Sequence, residues 1–201
     1  MPSPFNRSLL AAVLAVSTFA LAGCASSTTA PETSATSAES PTPTTSEPPS
    51  EPVVETTLRD DEDGTAVTPL AIVTDFTVAD GPTSGVVPVL VKVRVEAGDV
   101  FDSQVFPSSV SITRRDADLD YVSLGMSNPD DLAAAMSAAG YSPLSAVPSG
   151  ETVTAWIGAW VDPDVTEFDL VYNRAEGTII GGTSAGEKVP ASRSITPLTL
   201  Q

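Results

Sequence analysis

The 201-residue sequence has no histidine and only one cysteine, Cys24. Without imidazole, ordinary zinc and copper sites lose their commonest ligand, and the usual general base is missing. With one thiol, neither a disulfide framework nor a cysteine-built metal site can form, so an exported domain must hold together by packing. Positive charge is also scarce: 9 basic side chains face 26 acidic ones, a formal net charge of −17. Such a surface repels nucleic acid and anionic lipid headgroups, so nucleic acid is not an expected partner. Two Trp, three Tyr and six Phe are few for lining a sugar-cleaving cleft. With so many carboxylates, pairs arise by number alone, and they read as a solvated surface. No apolar run reaches the roughly 20 residues that a spanning helix needs.

What is present begins at the N-terminus. Met1 to Ser8 is short and polar, with one positive charge at Arg7, and Leu9 to Ala22 is uncharged and mostly apolar (LLAAVLAVSTFALA). The length and flanks fit a signal-peptide core. Leu21-Ala22-Gly23-Cys24 follows and looks like the bacterial lipobox, in which a branched apolar residue and two small ones precede a cysteine that takes a diacylglycerol on its sulfur. Residues 1–23 are therefore expected to be a lipoprotein signal peptide. Cys24 is expected to be the lipidation site, anchoring the chain at the outer face of the cell membrane. Ordinary cleavage that discards Cys24 is the plainer alternative, but the spacing, the preceding run and the following linker agree on lipidation. Loss of Arg7 leaves the mature chain one unit more negative.

Ala25 to Ser50 (ASSTTAPETSATSAESPTPTTSEPPS) has no aromatic and no large aliphatic residue. Such a segment cannot bury enough apolar surface to offset the entropy of ordering. It reads as a disordered tether running to about residue 63, through Asp60-Asp61-Glu62-Asp63. The expected organisation is then a lipidated cysteine and linker over 24–63, a folded domain over 64–180, and a loop or tail over 181–201 with room for a terminal strand.

The folded part has mostly period-two patterning. Leu70 to Val78 predicts a strand. Val89, Val91, Val93 and Val95 alternate with Leu90, Lys92, Arg94 and Glu96, the cleanest half-buried strand, with Pro88 marking an edge or bulge at its start. Val110 to Arg114 and Tyr121 to Leu124 read as a hairpin around Asp116 to Asp120. Thr152 to Val161 and Val165 to Tyr172 read as another, turning at Asp162-Pro163-Asp164, with Phe168, Leu170 and Tyr172 facing one way. One helix interrupts: Asn128 as N-cap, Pro129 at the first position, and an apolar stripe of Leu132, Ala135, Met136 and Ala139 that ends at Gly140. The stripe is narrow enough to lie on the sandwich as a cover; partner binding is the sharper alternative.

Short strands, Gly/Pro/Asp turns and one helix predict an all-β antiparallel sandwich. Val89 to Asp99, Val110 to Leu124, and Val147-Pro148-Ser149-Gly150-Glu151 leading into Thr152 to Tyr172 resemble an immunoglobulin-like domain of unknown function found in Gram-positive and actinobacterial lipoproteins. The resemblance covers roughly 70–175. It departs from the family pattern at Ala159, where a large aromatic is usual, and in the helix and the tail after Tyr172. It implies a fold and a location, and no reaction.

Three constellations invite chemistry. Gly182-Thr183-Ser184-Ala185-Gly186 matches G-x-S-x-G, but that motif works on a strand-to-helix turn beside a histidine, and here the setting reads as a loop. Lys188 lies four residues after Ser184, a spacing that fits no Ser-Lys motif. Asp116, Asp118 and Asp120 begin like a calcium loop, but Tyr121 and Ser127 hold the positions where an EF-hand needs Gly and Glu. Asp60 to Asp63 and Asp162/Asp164 are further weak calcium candidates, so no metal or other cofactor is expected. Last, Trp156, Gly158 and Trp160 share one face of their strand, opposite Val153, Ala155, Ile157, Ala159 and Val161. Either the two indoles stand open as a platform for a sugar ring, a lipid or an apolar patch, or the Leu132/Met136 stripe or the linker covers them. The preference of tryptophan for burial favours the cover. The expected function is that of a membrane-anchored, non-catalytic binding or structural module of the envelope, with an envelope protein or glycan as partner. The alternatives are an enzyme acting on cell-wall polymer and a calcium-stabilised adhesion module.

Overall fold

The computed structural model describes residues 48–79, 81, 85–115 and 126–201. Cys24, the segments before and after it, and the Asp116–Leu124 turn and strand lie outside the described residues. Two antiparallel sheets face each other. The larger contains β1 (Glu51–Pro52), β2 (Leu58–Arg59), β3 (Ala66–Val73), β4 (Val87–Glu96) and β6 (Thr152–Val161), in the order β1-β3-β4-β6 with β2 also on β3. The second has the order β10-β7-β5, from Ser192–Pro197, Phe168–Arg174 and Val110–Arg114. A two-stranded hairpin, β8 (Gly177–Thr178) with β9 (Lys188–Val189), projects beside them. The all-β sandwich with one short helix is as the period-two patterning predicts.

The core between the sheets follows the alternation. Val89, Val91, Val93 and Val95 of β4 and Ala155, Ile157 and Ala159 of β6 point inward against Ile112, Phe168, Leu170 and Tyr172. Burying each large aliphatic side chain contributes about 1.5–3 kcal/mol. Pro88 lies beyond the last β3–β4 pair, Val73↔Leu90, so its missing N–H interrupts no ladder on that side. Pro69 sits at a register shift, where β3 bulges between Pro69 and Ala71.

The outer face of the larger sheet is also apolar in one place. Ala71, Val73, Leu90 and Trp156 form a second cluster with Leu132 and Met136 of α1 (Asp130–Ala138). The helix stripe thus serves as a cover, and the arrangement is helix on sheet on sheet. Gly140, at φ +89, ends the helix in the left-handed conformation a glycine adopts without strain.

Several sequence expectations need correction. The domain does not begin at 64: β1 and β2 run along the edge of β3, and Val53 and Leu58 are core residues. Two buried apolar side chains among prolines and acids are too sparse to show a period. The strand expected over 70–78 is Ala66–Val73. The strands 152–161 and 165–172 form no hairpin; the Asp162–Asp164 turn carries the chain from one sheet to the other, and β7 pairs with β5 and β10. The terminal strand for which the 181–201 tail leaves room is present: it is β10, paired with β7, and Leu200 bridges to Val53. Asn128 is not the helix cap: α1 starts after Pro129 without a side-chain cap, and Asn128 is occupied elsewhere.

Candidate functional site

The tryptophan face is closed where it was offered as a platform. Trp156 is 3% exposed, and Tyr141 meets its ring edge-on at 4.9 Å between centroids, with Phe76 edge-on to Tyr141 at 5.5 Å. Gly158 leaves no open gap. A Cβ there would stand 2.7 Å from Met136 Sδ and 2.9 Å from Leu132 Cδ2, so the helix side chains fill the space that the glycine provides. Trp160 is half-buried and packs against Gly81. The structure brings Trp156 and Gly158 together as the seat of α1, and the covering alternative describes them.

The acidic turn expected to be solvated or calcium-binding is a buried ion pair. Arg174 Nε donates to Asp60 Oδ2 at 2.7 Å, Nη2 donates to Asp60 Oδ1 at 3.3 Å, and Nη1 donates to the Pro190 carbonyl at 2.9 Å. Burial by itself would raise the Asp60 carboxyl. The hydrogen bond from Arg174, that from the Glu62 backbone N–H and the guanidinium charge outweigh it, and the group sits below its ordinary value. Asp63 Oδ1 accepts from the Thr65 N–H at 2.7 Å, and its Oδ2 lies 3.9 Å from Arg174 Nε. Beside them burial pushes the Tyr172 phenol up to about 12; a hydrogen bond with Thr65 works the other way, and the nearby Asp63 and Asp60 carboxylates add to the rise. Gly98 closes this corner. A Cβ on it would fall 1.8 Å from the Asp63 carbonyl oxygen, so only glycine lets the two backbones meet. Among the described residues no three acidic side chains converge as a metal site would require.

Above this ion pair opens a groove of about 1030 Å³. Its floor is Asp63, Tyr172, Arg174 and Val105. One wall is the 100–106 loop with Val100, Phe101, Asp102 and Phe106, and the other is the β8–β9 hairpin with Ile179, Ile180 and Ser184. The walls present large apolar side chains to solvent: Val100 is 61% exposed, Phe106 52% and Ile180 98%. Ser184 of the G-x-S-x-G stretch lies here on a strand-turn-strand hairpin, where the motif needs a strand-to-helix elbow. Its backbone carbonyl accepts from Glu187 N–H, and Lys188 pairs with Glu176 at 3.3 Å. Neither wall stood out in the sequence. The signal was there in apolar pairs, Val100-Phe101 and Ile179-Ile180, set among turn-forming residues with no strand period to justify them.

Position in the fold matters as much as lining. The chain comes into the sandwich at Pro48 and Pro49, where the Pro49 carbonyl accepts from Tyr141 Oη and Pro48 lies against Gly140. It then runs along β3, from Glu51 opposite Ile72 to Arg59 opposite Ala66, before turning at 60–65. The groove lies at that turn, at the far end of an eight-residue strand whose ends are about 23 Å apart at strand rise. Comparison with family models, with curated proteins and with solved structures finds no match.

Proposed function

We propose that the chain is a lipoprotein held by a lipid on Cys24 at the outer face of the cell membrane, and that its sandwich is a non-catalytic binding module of the envelope. The observation that supports this most is the placement of the groove. It opens at the end of the larger sheet remote from Pro48, so anchoring through that end does not require the membrane to cover it. Its walls carry three exposed large apolar side chains, Val100, Phe106 and Ile180. The alternatives lack such support. Ser184 has its backbone tied into a hairpin tip and Lys188 is paired with Glu176, while Asp60 is neutralised by Arg174. The two-sheet antiparallel order is in keeping with the immunoglobulin-like resemblance.

The test is retention of cell-envelope material by the immobilised chain and by Phe106→Asp and Ile180→Asp variants. Both side chains are exposed, so the variants keep the fold. The expected result is material retained by the unaltered chain and released by both variants. Equal retention by all three would remove the groove from the function.

A further inference from the structure

The charges around the groove restrict what it accepts. Of the charged side chains lining it, Arg174 spends its three nitrogens on Asp60 and Pro190, and Asp63 is tied to Thr65 and Arg174. Asp102 alone, among the described lining residues, has an exposed carboxylate without an ion-pair partner. It stands between Val100 and Phe106 on a backbone with φ +50, a left-handed conformation uncommon outside glycine and tolerated best by Asn and Asp. The backbone there suits Asn and Asp alike, and the Asp this chain carries holds one anionic group at the lip of an apolar trough.

We propose that the groove takes a basic, apolar stretch of polypeptide, in which a lysine or arginine pairs with Asp102 and neighbouring apolar side chains lie on Val100, Phe106 and Ile180. This rests on the reading of the groove as a binding site. Charge complementarity carries it at two ranges. Asp102 supplies a local partner, and the net charge of −17 draws cationic partners toward the surface and repels anionic ones. A second copy of the chain is a poor occupant, because it brings the same charge and the same carboxylate. The exposed phenyl of Phe106 adds a face against which a guanidinium or ammonium can rest.

The test measures binding of labelled short peptides to the full chain at about 0.15 M salt, where long-range attraction is screened beyond about 8 Å. The probes alternate lysine with phenylalanine, serine with phenylalanine, and lysine with serine. The expected result is that the lysine/phenylalanine probe binds tightest and that Asp102→Asn weakens it by about fivefold, as loss of one charge pair would. Asparagine tolerates the same backbone, so the loop keeps its shape. Asp164→Asn, which removes one exposed charge from the turn after β6, leaves binding unchanged. Equal weakening by Asp164→Asn would overturn the proposal by showing diffuse attraction. So would serine/phenylalanine binding as tightly as lysine/phenylalanine, or failure of all three probes. If the probes fail while Phe106→Asp still releases envelope material, the ligand class is wrong and the groove stands; if Phe106→Asp releases nothing, the groove itself is wrong.

Discussion

Asn128 meets Gly158 as a strand residue would: its backbone N–H donates to the Gly158 carbonyl at 2.8 Å, and its Oδ1 accepts from the Gly158 N–H at 2.6 Å. Its Nδ2 reaches the Leu144 and Trp156 carbonyls at 3.2 and 3.3 Å. The side chain thus extends to Gly158 the pairing that Ser142–Leu144 makes with Trp156, so this part of β6, the edge of the larger sheet, is occupied. The backbone adopts φ +51 to do it. Asn128→Ala is expected to lower stability by about 2–3 kcal/mol, because buried β6 groups lose partners and alanine dislikes the left-handed conformation. Asn128→Gly should recover only the backbone part, about 1 kcal/mol. Denaturant titration of the three chains checks the order; an alanine variant as stable as the parent would show that water replaces the side chain at no cost.

Gly158→Ala is expected to destabilise by about 1–2 kcal/mol, since the added methyl must displace Met136 and Leu132 from the sheet. Trp156→Ala should cost roughly 3–5 kcal/mol, the loss of a buried aromatic and its ring contacts. Fluorescence reads the same geometry: Trp156 emission should be blue-shifted and resistant to acrylamide, while the half-buried Trp160 is the more quenchable. An emission spectrum like that of indole in water would contradict the seating of α1.

Gly98→Ala should be among the most damaging single changes, at more than about 3 kcal/mol, because the clash is with the Asp63 carbonyl and neither backbone can rotate away. A thermal melt compares it with Gly177→Ala, where a Cβ meets nothing and little change is expected. Similar melting temperatures for the two variants would mean that the 60–65 turn does not pack on Gly98.

These positions show where sequence reading succeeds and where it stops. β4 was legible because Val89 to Val95 repeat every second residue, and the helix because Leu132 and Met136 recur at helical spacing. Leu90 broke the alternation, and its burial under α1 explains why. Asp60 read as solvated because its counter-charge, Arg174, lies 114 residues later. Gly98 carried no local signal, since its constraint is a carbonyl brought in by the fold. The groove was hidden for the same reason: its walls are two loops that meet only once β5 and β7 have paired.

The Asp60–Arg174 pair sets an acid limit. The Asp60 carboxyl is held below its ordinary value in the folded chain, so its contribution is fully present above the unfolded value of about 3.9 and is lost as pH falls through the folded one. Melting temperature should therefore drop below about pH 4, and Asp60→Asn should flatten that part of the curve. Arg174→Met should cost about 3 kcal/mol or more at neutral pH, since it leaves a buried carboxylate alone. At the other end, Tyr172 titrates at about 12 in the folded chain against about 10 unfolded, so stability should fall between those values. A flat alkaline profile in the parent would place Tyr172 in contact with solvent.

Mass spectrometry of the chain recovered from membranes tests the central claim, that a lipid on Cys24 holds this domain at the cell surface. The account requires an N-terminal peptide that begins at Cys24 and carries diacylglycerol in thioether linkage to its sulfur. A mature chain beginning at any other residue, or Cys24 recovered with an unmodified thiol, would contradict it.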